Sequence, residues 1–116
     1  MHNDQVKQSL MTPLETQEEF ESLLRWKQGE PEVVIIYFTA KWCGPCKAVR
    51  LFDIIKSSPA TIKWYVCDID ENDYTAGYCG VSKIPSWLAI VKGKHQPLMT
   101  TSDYNTVVSW AKSVHT

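Results

Sequence analysis

Two cysteines separated by two residues, Cys43 and Cys46, form the part of the sequence with the clearest chemical capability. They follow an apolar, β-branched and aromatic run, Val33 to Thr39, and precede a pattern that is typical of a helix. In the first turn of a helix, residues three apart face the same side, and their Cα atoms lie roughly 5–6 Å apart, within the range for a disulfide. The spacing therefore predicts a pair of thiols that can alternate between a dithiol and a disulfide.

The start of a helix also predicts which of the two thiols reacts first. Unpaired backbone N–H groups and the positive end of the helix dipole favour a thiolate, and the thiolate is the form that attacks a disulfide. Cys43 precedes the helix and is expected to be more exposed than Cys46, so we assign Cys43 as the nucleophile and Cys46 as the resolving thiol. Between them, Gly44 is expected to permit a tight turn, and Pro45 suits the first helical turn, where its missing N–H costs little.

The chain has four cysteines, and the other two, Cys67 and Cys79, stand alone. A zinc ion needs four ligands, commonly supplied as two close pairs, so zinc and a purely structural disulfide are both less favoured than a redox-active pair. Cys67 falls within a predicted strand and is interpreted as a small core residue. Two interpretations of Cys79 stay open, because it lies near Pro85: an inert residue, or a regulatory thiol used for dimerisation or modification.

The composition fits one globular domain and excludes several classes of partner. The chain has 116 residues, 44% of them hydrophobic and 22% charged, with a formal net charge of −1. Near-neutral charge argues against nucleic acid or an anionic membrane surface as the main partner, and the longest apolar run is too short to span a bilayer. The polar N-terminus lacks the apolar segment of a secretory signal, so we expect a cytoplasmic protein, in a compartment that keeps thiols reduced.

Strand and helix patterns alternate along the chain and predict an α/β fold. Strands are predicted over residues 10–14, 33–39, 62–67, 86–91 and 95–100, and helices over 17–28, 45–57, 71–78 and from Asp103 onward. Thr16 and Glu19 have the spacing of a capping box at the start of the first of these helices. The alternation predicts a central mixed sheet of about five strands flanked by about four helices, because the terminal hairpin adds an antiparallel part. We expect residues 1–9 to form a flexible tail and residues 10–116 a single domain.

Two segments of the sequence resemble the thioredoxin family. The first is the active-site hexapeptide, Trp42-Cys43-Gly44-Pro45-Cys46-Lys47. The second is the segment Gly80 to Ser86, which resembles the family segment that ends in Ile, a cis-proline and Thr. The resemblance covers residues 10–115 and implies the thioredoxin fold. It also implies that Pro85 is cis, that the backbone of Ile84 docks an extended substrate, and that Trp42 lies on the surface beside the disulfide.

The resemblance implies a reaction and its partners. Cys43 would attack a disulfide of a partner protein, and Cys46 would then release the reduced partner, leaving a Cys43–Cys46 disulfide. The redox-active disulfide needs no bound cofactor or metal, and electrons would come from an NADPH-dependent thioredoxin reductase or an equivalent. A monomer is expected, with a Cys79-linked dimer as a second form. The alternatives are a binding or assembly subunit in which redox activity is incidental, and an oxidase or isomerase of secreted proteins.

Four positions depart from the family pattern. The family usually has a buried Asp at the position of Tyr37 and a charged partner for it at the position of Val66, so we expect Cys46 to be activated by solvent or substrate groups. A family proline is Leu51 here, which predicts a helix without the associated kink. A family glycine beside the substrate groove is replaced around Thr101, where a side chain would reshape the groove.

Overall fold

The central strand is buried along its whole length, as its continuous apolar sequence predicts. The computed structural model describes residues 1–115 and places this strand in the middle of a six-stranded mixed sheet. The elements, in chain order, are α1 Asn3–Ser9, β1 Thr12–Pro13, α2 Gln17–Leu23, β2 Val33–Thr39, α3 Gly44–Lys47, α4 Leu51–Ser57, β3 Lys63–Asp68, α5 Asp73–Tyr78, β4 Ser86–Val91, β5 Lys94–His95, β6 Met99–Thr100 and α6 Tyr104–His115.

The sheet has the order β1-β3-β2-β4-β5, and β6 pairs with β4. Strands β1, β3 and β2 are parallel, whereas β4 is antiparallel to β2, to β5 and to β6. The predicted α/β class with a mixed sheet is confirmed. The predicted hairpin strand over 95–100 is divided into β5 and β6, and Pro97 lies in the gap, where it has no N–H to donate to a neighbouring strand.

The two larger of three apolar clusters in residues 1–115 share the strands of the sheet between them. One contains Val6, Leu51, Ile54, Trp87 and Val107, so it joins α1, α4 and α6 to the sheet. The other contains Phe20, Ile36, Phe38 and Leu88, together with the half-buried Cys79. The alternation of side chains along β2 therefore supplies both clusters, and this holds the strand that leads into the Cys43 turn in a fixed position.

The N-terminal segment differs from the prediction of a flexible tail over residues 1–9. Residues Asn3–Ser9 form α1, and Val6 is fully buried against the core. One apolar residue in a polar segment carries no clear periodic pattern, which is why the sequence did not indicate this helix. Its tertiary contacts with α4 and β1 account for its formation.

The helix predicted over 45–57 is two helices, α3 and α4, separated by Ala48, Val49 and Arg50. Leu51 led us to expect an uninterrupted helix, and this expectation is wrong. The interruption does not need a proline, because the side chain of Asn3 bonds to the backbone of both Val49 and Leu51. Together with α1, this division explains why residues 1–115 contain six helices rather than about four.

The ends of other elements follow local hydrogen bonds. Thr16 and Glu19 form the predicted capping box, with Glu19 N–H donating to Thr16 Oγ1 at 3.1 Å. Asp103 accepts from Thr106 N–H at 2.9 Å, as expected for the residue that begins the last helix. Helix α2 ends at Leu23 rather than near residue 28, since the Glu30 carboxylate accepts from Lys27 N–H and holds the following turn. Within residues 1–115, no helix has the length and apolar character needed to cross a membrane.

Candidate active site

Cys43 and Cys46 form a disulfide at the junction between β2 and α3. Their Cα atoms are 5.3 Å apart, as the spacing of the motif predicts. The turn that leads from the strand is closed by a hydrogen bond from Cys43 N–H to Ala40 C=O at 3.2 Å. The end of the buried strand and the first turn of α3 therefore bring the two sulfur atoms together.

Cys43 occupies the N-cap of α3, and its sulfur already has a hydrogen-bond donor. The Cys46 N–H donates to Cys43 Sγ at 3.1 Å. A donor at this distance stabilises negative charge on the sulfur when the disulfide is opened, and this lowers the free-energy cost of forming a thiolate. α3 has only four residues, so this single N–H is a more direct cause than a helix dipole.

The expected order of exposure of the two cysteines is wrong. Cys43 is 2% exposed and Cys46 is 5% exposed, so neither residue is the more accessible in the disulfide form. Both pack in a small apolar cluster with Ala40, Ile69 and Ile84. Assignment of Cys43 as nucleophile therefore depends on its N-cap position and hydrogen bond rather than on exposure.

The two residues between the cysteines are both exposed. Pro45 lies in the first turn of α3, as predicted, where its missing N–H leaves no helical hydrogen bond unmade. Gly44 differs from the expectation, because its φ is not positive and a Cβ added there would meet no heavy atom within 4 Å. The backbone at Gly44 therefore does not require glycine, and the residue leaves an open surface beside the disulfide.

The loop before β4 forms the other wall of the site. The Ile84–Pro85 peptide bond is cis, as the resemblance implied. The carbonyl oxygen of Ile84 lies 3.8 Å from Cys43 Sγ, so the backbone of this residue is adjacent to the sulfur assigned as nucleophile. Ser86, which follows, is held by hydrogen bonds from its Oγ to Lys83 C=O at 2.5 Å and with Thr100 Oγ1 at 2.7 Å. This loop is thus fixed to β6 as well as to the site.

Trp42 is the most exposed large apolar side chain of the site, with 66% of its surface accessible. Its indole Nε1–H donates to Asp70 Oδ2 at 2.8 Å, which holds the ring beside the disulfide. The sequence indicated the exposure of Trp42 but not the role of Asp70. Strands β2 and β3 pair in parallel, so the loop after β3 is adjacent to the turn after β2. A prediction that these two strands pair would therefore have placed Asp70 near Trp42.

An open cavity of about 730 Å³ lies behind the disulfide. Cys43, Cys46 and Lys47 line one part of it, and Met1, His2, Asn3 and Lys7 line another. The sequence missed the N-terminal residues entirely, since they were expected to form a tail. Lys47, named in the motif, is exposed and belongs to this cavity wall.

Tyr37 also lines this cavity, at the position where the family usually has a buried Asp. It is 1% exposed, its ring centroid is 4.6 Å from that of Trp87, and it pairs directly across the sheet with Val66. Burial raises the pKa of the Tyr37 phenol, and this effect outweighs the hydrogen bond with Thr39, which lowers the pKa. Tyr37 is therefore a neutral phenol at ordinary pH and cannot remove a proton from Cys46.

Two oxygen atoms of Thr101 accept hydrogen bonds just before α6. Its hydroxyl oxygen accepts from Asp103 N–H at 3.1 Å, and its carbonyl accepts from Trp87 Nε1–H at 2.9 Å. Both groups are thus used to hold the chain between β6 and α6.

Cys67 and Cys79 lie in a different apolar cluster from the disulfide. Burial raises the pKa of Cys67 to about 12, with smaller contributions from Cys79 and Asp68, and burial raises the pKa of Cys79 to about 12. Such thiols are almost entirely protonated at neutral pH and are weak nucleophiles. Among residues 1–115, no three His, Cys, Asp or Glu side chains converge to form a potential metal site.

The comparisons with known proteins agree with this geometry. Residues 11–113 match the family model described as Thioredoxin. Thioredoxin of Geodia cydonium is 35% identical over 83 residues, which cover 70% of this chain and 76% of that protein. Thioredoxin of Bacillus subtilis (strain 168) is 39% identical over 64 residues, covering 53% and 62%. The crystal structure of oxidised mitochondrial thioredoxin 3 from Saccharomyces cerevisiae has a TM-score of 0.79 and 25% identity, covering 89% of this chain and 94% of that one. The chain belongs to the thioredoxin family of thiol–disulfide oxidoreductases.

Proposed function

We propose that this chain reduces disulfides in other proteins, with Cys43 as the nucleophile and Cys46 as the resolving thiol. The observation that carries this assignment is the hydrogen bond from Cys46 N–H to Cys43 Sγ at 3.1 Å, since it favours a thiolate on Cys43. The Cys43 thiolate attacks one sulfur of the substrate disulfide and displaces the other as a thiolate. The Cys46 thiolate then attacks Cys43 Sγ, which releases the second substrate sulfur and leaves the Cys43–Cys46 disulfide.

The surface around the disulfide supports a protein as the substrate. Trp42 offers an exposed aromatic face, and the carbonyl of Ile84 lies beside Cys43 Sγ. An extended segment of a substrate that paired with the backbone of Ile84 would bring its own disulfide to Cys43, since strand-like pairing aligns two chains at a fixed separation. Pro85 would then support this segment from beneath as a rigid part of the same wall.

The reaction consumes two electrons, and the proposal includes their source. The redox-active atoms are the two sulfurs, without a bound cofactor, and an NADPH-dependent reductase of the thioredoxin reductase type would return the disulfide to the dithiol. Such a reductase works in a reducing compartment, and we propose the cytoplasm. The molecule would act as a monomer, because Cys79 is half-buried and its raised pKa leaves little thiolate to start a disulfide between two copies.

Reduction of insulin disulfides tests the proposal. We expect the wild-type chain to reduce insulin with dithiothreitol as the electron source, and Cys43→Ser to be inactive. Cys46→Ser should form a long-lived mixed disulfide through Cys43, because the first step is retained and the second is lost. Cys67→Ser is the matched control, since it removes a buried thiol outside the site. Equal rates for wild type and Cys43→Ser would remove the proposed activity and favour the binding or assembly subunit.

A further inference from the structure

Helix α1 lies against the interruption between α3 and α4. It precedes the part of the chain that matches the family, and it packs on α4 and on β1. Val6 is fully buried in the same apolar cluster as Leu51 and Ile54, so α1 is anchored to the first two turns of α4. The N-terminal end of α1 is thereby held at a fixed place beside the active site.

The side chain of Asn3 uses both of its polar atoms at this interruption. Its Nδ2 donates to Val49 C=O at 2.7 Å, and its Oδ1 accepts from Leu51 N–H at 3.4 Å. The interruption leaves these backbone groups without the partners that a continuous helix would supply, and Arg50, at the N-cap of α4, makes no side-chain capping bond. Asn3 therefore supplies, from α1, side-chain hydrogen bonds to the backbone at the start of α4 that Arg50 does not make.

A third hydrogen bond, between backbone groups, connects this bridge to the active site. Val49 N–H donates to Cys46 C=O at 3.3 Å. Asn3 thus holds Val49, and Val49 holds the backbone of Cys46, the residue whose thiol must reach Cys43 Sγ. Asn3 and Cys46 both line the cavity behind the disulfide. A substitution at Asn3 would therefore also change the surroundings of Cys46.

We propose that Asn3 is a positioning residue for Cys46: by bridging Val49 and Leu51 it raises the effective concentration of the Cys46 thiol at the Cys43 sulfur. The inference rests on the proposed function, because it concerns the second step of that reaction. A backbone fixed by two hydrogen bonds loses less freedom when the intramolecular disulfide forms, and this favours the disulfide over the dithiol. Asn3 acts through its hydrogen bond to Val49 rather than as a reacting group.

The equilibrium with glutathione measures this effective concentration directly. In this exchange reaction, the protein dithiol reacts with one oxidised glutathione. The products are the Cys43–Cys46 disulfide and two reduced glutathiones, so atoms and electrons balance. We expect Asn3→Ala to lower this equilibrium constant about three- to tenfold, the size of one or two lost hydrogen bonds. Gln8→Ala is the matched control, since Gln8 is exposed on the same helix and is not part of the cavity wall, and it should leave the constant unchanged.

A second variant guards against a general loss of structure. Asn3→Asp keeps an acceptor for Leu51 N–H, but it cannot donate to Val49 C=O and places a second oxygen against that carbonyl. We expect a decrease in the same direction, and the free energy of unfolding in urea, measured for both variants, separates this effect from a loss of stability. If both variants keep the wild-type glutathione constant, the proposal is overturned, even if Asn3→Ala is less stable. If wild type itself forms no Cys43–Cys46 disulfide with glutathione, the proposed function fails instead.

Discussion

The phenol of Tyr37 occupies the place where the resolving thiol would otherwise have a base. Because burial raises its pKa above the ordinary value of 10.0, this hydroxyl stays protonated at every pH at which the protein would work. We therefore expect Tyr37→Phe to keep the wild-type dependence of insulin reduction on pH between about 6 and 9. Steady-state rates across this range, at a fixed concentration of dithiothreitol, provide the measurement.

Tyr37→Asp is the informative contrast at the same position. A carboxylate that faces the cavity behind Cys46 would accept the thiol proton, so turnover above neutral pH should increase relative to wild type. The new carboxyl group would be buried beside Trp87 and would reduce stability, so its rates are to be compared at a temperature where circular dichroism shows a folded protein. A pH profile identical to that of wild type would argue against solvent as the acceptor of the Cys46 proton.

Cys67 and Cys79 should react slowly in the native protein. With a pKa of about 12, each thiol is a thiolate in about one molecule in ten thousand at pH 8, against about one in ten for an ordinary pKa of 9.0. In the reduced protein at pH 8, we expect iodoacetamide to modify Cys43 at least about a hundredfold faster than either of them. Peptide mass spectrometry after timed quenching resolves the four sites, and urea-denatured protein, in which all four should react, is the control. Rapid modification of native Cys79 would restore the regulatory interpretation.

At the scale of elements, helix α1 contributes to the fold through one buried side chain. Val6→Ala would remove two methyl groups from a fully buried position and leave a cavity between α1 and α4. We expect the free energy of unfolding in guanidinium chloride to fall by about 2 kcal/mol. Gln8→Ala, on the exposed face of the same helix, should change it by less than about 0.5 kcal/mol. A loss in Val6→Ala no larger than in the control would mean that α1 is not docked in solution.

Features formed by residues close in sequence could be predicted, whereas the contacts of α1 with distant residues could not. The hydrogen bonds of the capping box at Thr16 and Glu19 and the pairing of Cys43 with Cys46 join residues three apart, so their spacing is visible in the chain. The bonds of Asn3 to Val49 and Leu51 join residues 46 and 48 apart, and neither partner carries a local pattern. Propensity favoured a continuous helix through Leu51, and a distant side chain decided otherwise.

The candidate site divides in the same way. The sulfur pair, the exposed Trp42 and the wall at Ile84 and Pro85 belong to motifs that are contiguous in sequence, and their places were predicted. Asp70 and the cavity behind Cys46 depend on which strands pair and on where α1 docks, so they required the folded structure. Equal burial of the two cysteines was also beyond the sequence, because the loop that carries Ile84 covers them both.

At the scale of the whole molecule, the stability of the fold and the stability of the disulfide are linked. The disulfide closes a loop of only four residues, so its constraint on the unfolded chain stabilises the oxidised fold by about 2 kcal/mol. By the same thermodynamic cycle, folding favours the disulfide by that amount, which corresponds to about a thirtyfold larger equilibrium constant with glutathione.

We therefore expect reduction by dithiothreitol to lower the free energy of unfolding by about 2 kcal/mol, measured in guanidinium chloride. The Cys43→Ser, Cys46→Ser double variant should have the stability of the reduced protein and lose any dependence on dithiothreitol. The glutathione equilibrium constant, measured in native buffer and in denaturant, gives the same quantity by a second route. The free-energy difference between these two constants must equal the difference in stability between the oxidised and reduced proteins. If the reduced protein is as stable as the oxidised one, closing the disulfide costs the native state as much as it costs the unfolded chain.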